Sequence, residues 1–577
     1  MHSPRPLMEA AWREVEAGHI PIIVAPTGYG KTRASPWLYE EARRRGLASG
    51  LIHVAPLRSL VTKIYRDIFK PASPRAGYQA HIDLGGDKSS YFLRELVVTT
   101  VDSFLWNLYR LPVTELMAME KRVTMGHYYP VYTSVYTSLT VFDEAHVYLG
   151  GGGQDPGRAA FVASLMHLAN LEAPLVVETA TMHPSILGWV SLMLELQGRK
   201  ASIATLDCYA SRLQDALGPG ARVDGVSDGE WVRGYRLKWR TSIVDGWDSV
   251  LDDIVSDSSS GPVLVVANTV KTAISLYSSL KDRVEDEDIV LVHGRLASRD
   301  RVAVEKRIGS MKRGVIVATQ VVEVGVDVNA VAVYSEAAPI ENLVQRAGRA
   351  CRRGKVLGQC RSKGGKLVVV RPRSHQPYER RSIDYTIGAV EKYGVIDWRL
   401  PCTEPESGAT PYTRLIEEAG DDTAYSLTPY ADLYEVYLNG DDRPSAMLDL
   451  LNDMGLCSIY RDSSMYPIHT TRGEVLVDLK WLNKNWAKIL DTSKGIRITI
   501  MRQNSEIEVG ISEDDWKEAI NSGKGCRHTY TALNKLVSRA AKDAGIEGVF
   551  SWVLKAREGA YHRGLGFTVD LEEAGVL

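Results

Sequence analysis

Ile20-Pro21-Ile22-Ile23-Val24-Ala25-Pro26-Thr27-Gly28-Tyr29-Gly30-Lys31-Thr32 is the stretch that decides the fold of this chain. Its first half is a short, unbroken apolar run, the pattern of a strand covered on both faces of a sheet. Its second half is a glycine-containing turn closed by Lys-Thr, and an amphipathic helical pattern follows. Strand, turn and helix in that order form the setting of a Walker A phosphate loop, here with Ala25 where the pattern opens on glycine. Gly28 and Gly30 let backbone N–H groups turn inward around phosphate oxygens. The start of the following helix adds partial positive charge.

Working outward, further apolar runs punctuate the first 200 residues: Gly50–Ala55, Leu96–Thr100, Leu139–Phe142 and Leu175–Thr179. Helical patterns separate them, as in a parallel α/β sheet. Residues 209–260 are mixed and polar, ending in the loop-like Asp257-Ser258-Ser259-Ser260-Gly261-Pro262. A second series follows at Val263–Ala267, Ile289–Val292, Gly314–Ala318, Ala330–Tyr334 and Lys366–Val370. Beyond about residue 376 helical patterns dominate, interrupted by the strand-like Ile496–Ile500. The expected fold class is α/β: a first parallel-sheet domain over 1–208, a linker and domain start over 209–260, a second parallel-sheet domain over 261–375, and a mostly helical accessory domain over 376–577.

The chain has 577 residues, 45% hydrophobic and 24% charged, with a net charge of −2, which excludes a disordered or globally basic protein. Any nucleic-acid contact must therefore come from a local groove. Six cysteines without a CxxC pair support neither a disulfide scaffold nor a zinc ribbon, so free thiols are expected, Cys351 and Cys360 being the nearest pair. No apolar run reaches the roughly 20 residues of a membrane span, which points to a cytoplasmic protein without membrane partners.

Lys31 is placed to reach the β- and γ-phosphates of ATP, and Thr32 to ligate Mg²⁺. The run Val141-Phe142-Asp143-Glu144-Ala145-His146 ends another apolar strand. Asp143 suits Mg²⁺ binding through water, and Glu144 suits polarising the attacking water. In Gln345-Arg346-Ala347-Gly348-Arg349-Ala350-Cys351-Arg352 the arginines recur every three residues and are expected on one helix face, where guanidinium groups can meet phosphate charge. Two softer patterns read structurally. Tyr128, Tyr129, Tyr132 and Tyr136 suggest a half-buried alternating strand. Trp481-Leu482-Asn483-Lys484-Asn485-Trp486-Ala487-Lys488 suggests a helix with tryptophans inward and lysines in solvent.

Together these elements resemble the superfamily 2 helicases with a DEAH-type motif II, over about residues 20–375. Pro56–Leu60 is similar to motif Ia, Gly85-Gly86 to motif Ib, Thr99–Phe104 to motif Ic, Thr179-Ala180-Thr181 to motif III, Ala318–Asp327 to motif V and Gln345–Arg352 to motif VI. The resemblance implies two RecA-like domains that bind ATP between them. It places Thr27, Gly28, Gly30, Lys31, Thr32, Asp143, His146, Gly325 and Asp327 at the nucleotide, with Glu144, Lys31, Gln345, Arg349 and Arg352 in catalysis. Arg349 and Arg352 match the arginine-finger positions. Thr179 and Thr181 would couple hydrolysis to movement. Arg58, Ser59, Gly86, Thr100, Thr269 and Thr319 would hold nucleic acid, with Arg295 and Arg299 adding charge. The adenine-reading glutamine motif is missing ahead of the loop.

Motif V, Ser335-Glu336-Ala337-Ala338-Pro339-Ile340 and the Gln345–Arg349 core further resemble the CRISPR-associated type I interference helicases. That implies movement on single-stranded DNA beside an RNA-guided surveillance complex. Many members carry an N-terminal HD nuclease. Here the phosphate loop begins at residue 25 and none of the 13 histidines precedes an aspartate, so a separate HD-type nuclease subunit is expected as partner. An RNA helicase or DNA-repair translocase, and a nucleotide-gated scaffold for a nuclease, are the alternatives.

Overall fold

The computed structural model describes residues 4–79, 91–112, 126, 128–149, 156–403, 407–420, 465–502, 505–521, 526–546 and 551–577. Counting described residues, the chain forms two compact units. One takes in Met1–Arg240, Pro339–Gly348 and Gly388–Leu451, the other Thr241–Ala338, Arg349–Ile387 and Asn452–Leu577.

The first unit is built on an eight-stranded sheet of β1 (Ile20–Val24), β2 (Gly50–Ala55), β3 (Ala76–Gln79), β4 (Leu96–Thr100), β5 (Ser138–Phe142), β6 (Leu175–Thr179), β7 (Ala201–Leu206) and β8 (Val223–Val226). Their order is β3-β4-β2-β5-β6-β1-β7-β8, and every pairing is parallel. Every residue of β1 through β7 is buried, as uninterrupted apolar strands require when helices cover both faces. Because β5, β6 and β1 are neighbours, the phosphate loop, Asp143-Glu144 and Thr179-Ala180-Thr181 all emerge at the carboxyl ends of three adjacent strands. Parallel sheets of this kind bind ligands at that edge.

The second unit holds a six-stranded sheet of β9 (Trp239–Val244), β10 (Pro262–Val266), β11 (Ile289–Val292), β12 (Gly314–Ala318), β13 (Ala332–Glu336) and β14 (Gly365–Val370), ordered β11-β12-β10-β13-β14-β9. The helix Ile340–Ala347 follows β13 in sequence yet groups with the first unit. It packs on the helix Tyr412–Glu418, and Gly348 lies so close to Thr27 that a Cβ there would collide with Thr27 Oγ1.

In the described C-terminal residues the helices Leu479–Ile489, Glu513–Ile520, Cys526–Asp543 and Thr568–Ala574 supply the expected helical content. They are organised on a five-stranded sheet of which the sequence showed one strand. Strands Met465–Thr470, Gly473–Asp478, Ile496–Arg502, Ser505–Ile511 and Ser551–Lys555 form it, with both hairpins antiparallel. Trp481 and Trp486 pack against the core beneath this sheet, and Lys484 and Lys488 pair with Glu573 and Glu572 at 2.6 and 3.2 Å. The lysine–tryptophan run is thus a packed helix.

Three expectations are corrected. Tyr128–Tyr136 is a helix, in which the Tyr132 and Tyr136 rings meet at the i,i+4 spacing with centroids 5.1 Å apart. The motif VI arginines do not share a helix face. The helix stops at Ala347, and Ala350 instead forms a bridge with Ala330, so Arg349 and Arg352 lie beyond its end. Finally, Cys351–Cys360 and Cys208–Cys402 are disulfides, with Cα atoms 5.8 and 5.9 Å apart, well within bridging range. Among the described residues no helix is long and apolar enough to cross a membrane.

Candidate nucleotide site

The phosphate loop leaves β1 with Gly28 and Gly30 at φ +79° and +106°, conformations that favour glycine. Tyr29 anchors the loop between them. Its buried ring meets Trp231 edge-on, its hydroxyl donates to Asp228 over 2.8 Å, and it accepts from the Leu7 N–H. Gly30 is the N-cap of the 14-residue helix Lys31–Arg44 and contributes no side chain, which leaves first-turn N–H groups to an anion.

Lys31 is buried, and its ammonium donates to the Ala25 carbonyl over 2.9 Å. Thr32 Oγ1 donates to Oδ2 of Asp143 over 2.8 Å, while Oδ1 of Asp143 is buried without a hydrogen-bond partner among the described residues. Burial alone would lift the Asp143 carboxyl. The adjacent His53 ring, the charge of Lys31 and the Thr32 hydrogen bond outweigh it and hold the group below the usual carboxylate range. Glu144 follows at φ +50°, a conformation a non-glycine residue adopts at a cost of about 1 kcal/mol or more. His146 Nδ1 lies 3.5 Å from Glu144 Oε2 and 3.2 Å from Thr179 Oγ1, and burial aided by Lys31 pulls its pKa down to about 3, so the ring is neutral. Thr179 Oγ1 also accepts from the Thr181 N–H at 3.4 Å, and Thr181 is itself buried.

A hydroxyl, a carboxylate with one oxygen uncommitted, a buried ammonium and a row of helix N–H groups fit a Mg²⁺–nucleotide pair. Hard oxygen donors suit Mg²⁺, and the amide and ammonium donors suit phosphate. Gln345, in the helix that ends on Thr27, is buried with neither side-chain amide atom hydrogen-bonded among the described residues.

The remaining expected residues belong to the second unit or lie apart. Arg352 and Arg353 both hold Asp327, at 2.7 and 2.6 Å, and the Arg349 guanidinium donates to the Glu323 carbonyl. Gly325 has φ +105°. Thr269 caps the helix Val270–Lys281, Thr319 is buried after β12, and Thr100 caps the helix Val101–Leu108 at the end of β4. Arg58 and Ser59 open the helix Arg58–Ile64, and Gly86 lies outside the described residues. Arg295 is committed elsewhere: it forms an ion pair with buried Asp570 and lies over the Trp481 ring.

A family model described as DEAD/DEAH box helicase matches residues 5–187, and one described as CRISPR-associated nuclease/helicase Cas3, C-terminal, matches residues 259–355. Both matches make the chain similar to CRISPR-associated superfamily 2 helicases of the Cas3 type. It is 24% identical over 350 residues to the CRISPR-associated helicase Cas3 of Thermoproteus tenax, covering 58% of this chain and 54% of that one. This Cas3-like chain thus spans about half the length of that relative. Among solved structures, T. fusca Cas3 with ADP superposes with a TM-score of 0.56 at 18% identity, covering 83% of this chain and 60% of that one. A chain of a pre-nicking CRISPR RNA-guided surveillance complex gives 0.52 at 18%, covering 82% and 58%. At such identities the superpositions speak for the fold.

Sequence reading missed His53 and Glu178. Both stand inside runs taken as plain buried strands, and a titratable residue in such a run was the available signal. Glu178 is fully buried with neither carboxylate oxygen hydrogen-bonded among the described residues; burial, reinforced by Asp143 and Glu144, pushes its pKa well above the usual range. Its surroundings thus favour the uncharged form beside Asp143 and Glu144.

Proposed function

We propose that the chain is an ATP-driven translocase on single-stranded DNA that unwinds target DNA in CRISPR interference. The observation that carries this reading is the Thr32–Asp143 hydrogen bond beside buried Lys31 and strained Glu144. Bound Mg²⁺ would supply positive charge to the phosphate oxygens. Thr32 and the free oxygen of Asp143 would hold it, and Lys31 has further N–H donors for the phosphates. Glu144 would orient and polarise the attacking water, with neutral His146 bridging it to Thr179. Gln345 would add amide contacts, and Arg349 and Arg352 charge stabilisation. Arg58, Ser59, Thr100, Thr269 and Thr319 would grip the phosphodiester backbone without reading bases.

The T. tenax relative is named as a helicase alone, which supports a division of labour with a separate HD-type nuclease. A superposable chain in a surveillance complex supports the RNA-guided complex as the other partner.

The test is ATP hydrolysis with and without single-stranded DNA or RNA, with Lys31→Ala and Glu144→Gln as controls. DNA is expected to stimulate strongly and RNA less. Lys31→Ala should lose activity. Glu144→Gln should keep nucleotide binding while turnover falls by roughly 10²-fold or more. Stimulation by RNA alone would point to an RNA helicase. Nucleotide binding without stimulation by either would point to a scaffold.

A further inference from the structure

His53 lies in β2, paired in register with Val98 on one side and Val141 on the other, and is fully buried. An aliphatic residue would fill such a position without any polar cost, so the imidazole needs a reason. Its ring nitrogens face two partners. Nδ1 is 3.1 Å from Ser35 Oγ, and Nε2 is 3.4 Å from Asp143 Oδ2. Ser35, also fully buried, is one turn beyond Thr32 on the helix Lys31–Arg44, so both face the same way. Phe69 meets the ring edge-on at 5.7 Å and closes it off.

The result is a buried chain, Ser35–His53–Asp143–Thr32, in which both ends come from one helix. In the tautomer with its proton on Nε2, the ring can accept from the Ser35 hydroxyl at Nδ1 and face Nε2–H toward the carboxylate. Oδ2 of Asp143 thus accepts from the Thr32 hydroxyl on one side and has His53 Nε2 in polar contact at 3.4 Å on the other, while Oδ1 has no hydrogen-bond partner among the described residues. Turning the carboxylate about its last bond would break the Thr32 hydrogen bond and carry Oδ2 away from the imidazole.

We propose that His53 is a positioning residue that holds Asp143 through Oδ2 and reserves Oδ1 for the Mg²⁺ shell. This rests on the nucleotide-site reading above. It assigns His53 and Ser35 the support that outer partners give metal-binding side chains, whose removal typically weakens metal affinity by roughly 10- to 100-fold.

The test titrates the full chain with a fluorescent ADP analogue, with and without Mg²⁺. It compares wild type, His53→Leu, His53→Gln and Ser35→Ala, with Lys31→Ala as the nucleotide-site control. His53→Leu is expected to raise the Mg²⁺ midpoint about tenfold while leaving metal-free ADP binding unchanged. Gln carries an N–H donor near the Nε2 position and should restore most of the loss. Ser35→Ala should shift the midpoint in the same direction but less. An unchanged midpoint in His53→Leu overturns the proposal, as does a Gln variant impaired as badly as Leu. If His53→Leu fails to fold, Ser35→Ala decides, because it keeps the ring in place; an unshifted midpoint there also overturns it. Wild type without Mg²⁺-dependent ADP binding, or Lys31→Ala binding as well as wild type, would instead sink the nucleotide-site reading.

Discussion

The hydroxyl of Thr32 donates to the carboxylate of Asp143 over 2.8 Å, tying the end of the phosphate loop to the end of β5 across 111 residues of sequence. Each residue therefore pre-sets the other. Thr32→Val keeps the volume and the β-branch but removes the donor. Steady-state assays should show hydrolysis lowered on the order of 10²-fold, with metal-free nucleotide binding retained. Hydrolysis at the wild-type rate would show that the pair is not used.

Why the site was partly legible follows from where its parts lie in the chain. Residues 25–32 carry their own turn chemistry, so glycine, lysine and threonine announce the loop without reference to anything distant. Asp143-Glu144 needed only the apolar strand before it. His53 and Glu178 depend on which strands become neighbours, and a sheet order of β2-β5-β6-β1 cannot be read from the runs one at a time. The same holds for Cys208 and Cys402, 194 residues apart. The motif VI helix misled for a local reason: three-residue spacing suggested one face, but Gly348 ends the helix before Arg349.

Cys208–Cys402 ties the helix Asp207–Leu217 to the segment that follows Ile396–Asp397, where Arg212 also binds Glu417 at 3.1 Å and the Tyr412 hydroxyl reaches the Ala180 carbonyl at 3.4 Å. Closing so long a loop is worth about 5 kcal/mol by chain entropy, against about 3 kcal/mol for the short Cys351–Cys360 loop. Reduction should lower the thermal midpoint and raise hydrogen exchange over residues 396–403 and 407–418. Cys208→Ser should reproduce most of that effect, and Cys351→Ser less. Peptide mapping without reductant checks both pairings.

Arg295 faces the Trp481 ring and buried Asp570, so its role is packing the C-terminal sheet on the second RecA-like sheet. Arg295→Ala leaves Asp570 without its cation, a loss on the order of 3 kcal/mol. Urea unfolding should register that loss. DNA-stimulated hydrolysis per folded molecule, and its salt dependence, should stay as in wild type. Intact stability with lost DNA stimulation would return Arg295 to the nucleic-acid contacts.

His293 gives the same junction a pH dependence. The ring is fully buried; Nε2 donates to the Leu565 carbonyl at 2.9 Å, and Nδ1 accepts from the Arg295 N–H at 3.2 Å. Only the neutral tautomer makes both bonds. Burial, with Arg295 and Arg301 nearby and the Leu565 bond opposing, pulls its pKa down to about 4. The folded state then binds fewer protons than the unfolded chain between pH 4 and 6.5. Its contribution is complete above the unfolded value near 6.5 and is lost as pH falls through about 4, amounting to roughly 3 kcal/mol. Protection factors around residues 561–567, with the slower intrinsic exchange at low pH divided out, should therefore fall from pH 7 toward pH 4.5. His293→Gln, which can donate and accept without titrating, should flatten that dependence while lowering stability at pH 7. A Gln variant with the wild-type pH profile would assign the acid sensitivity to other groups.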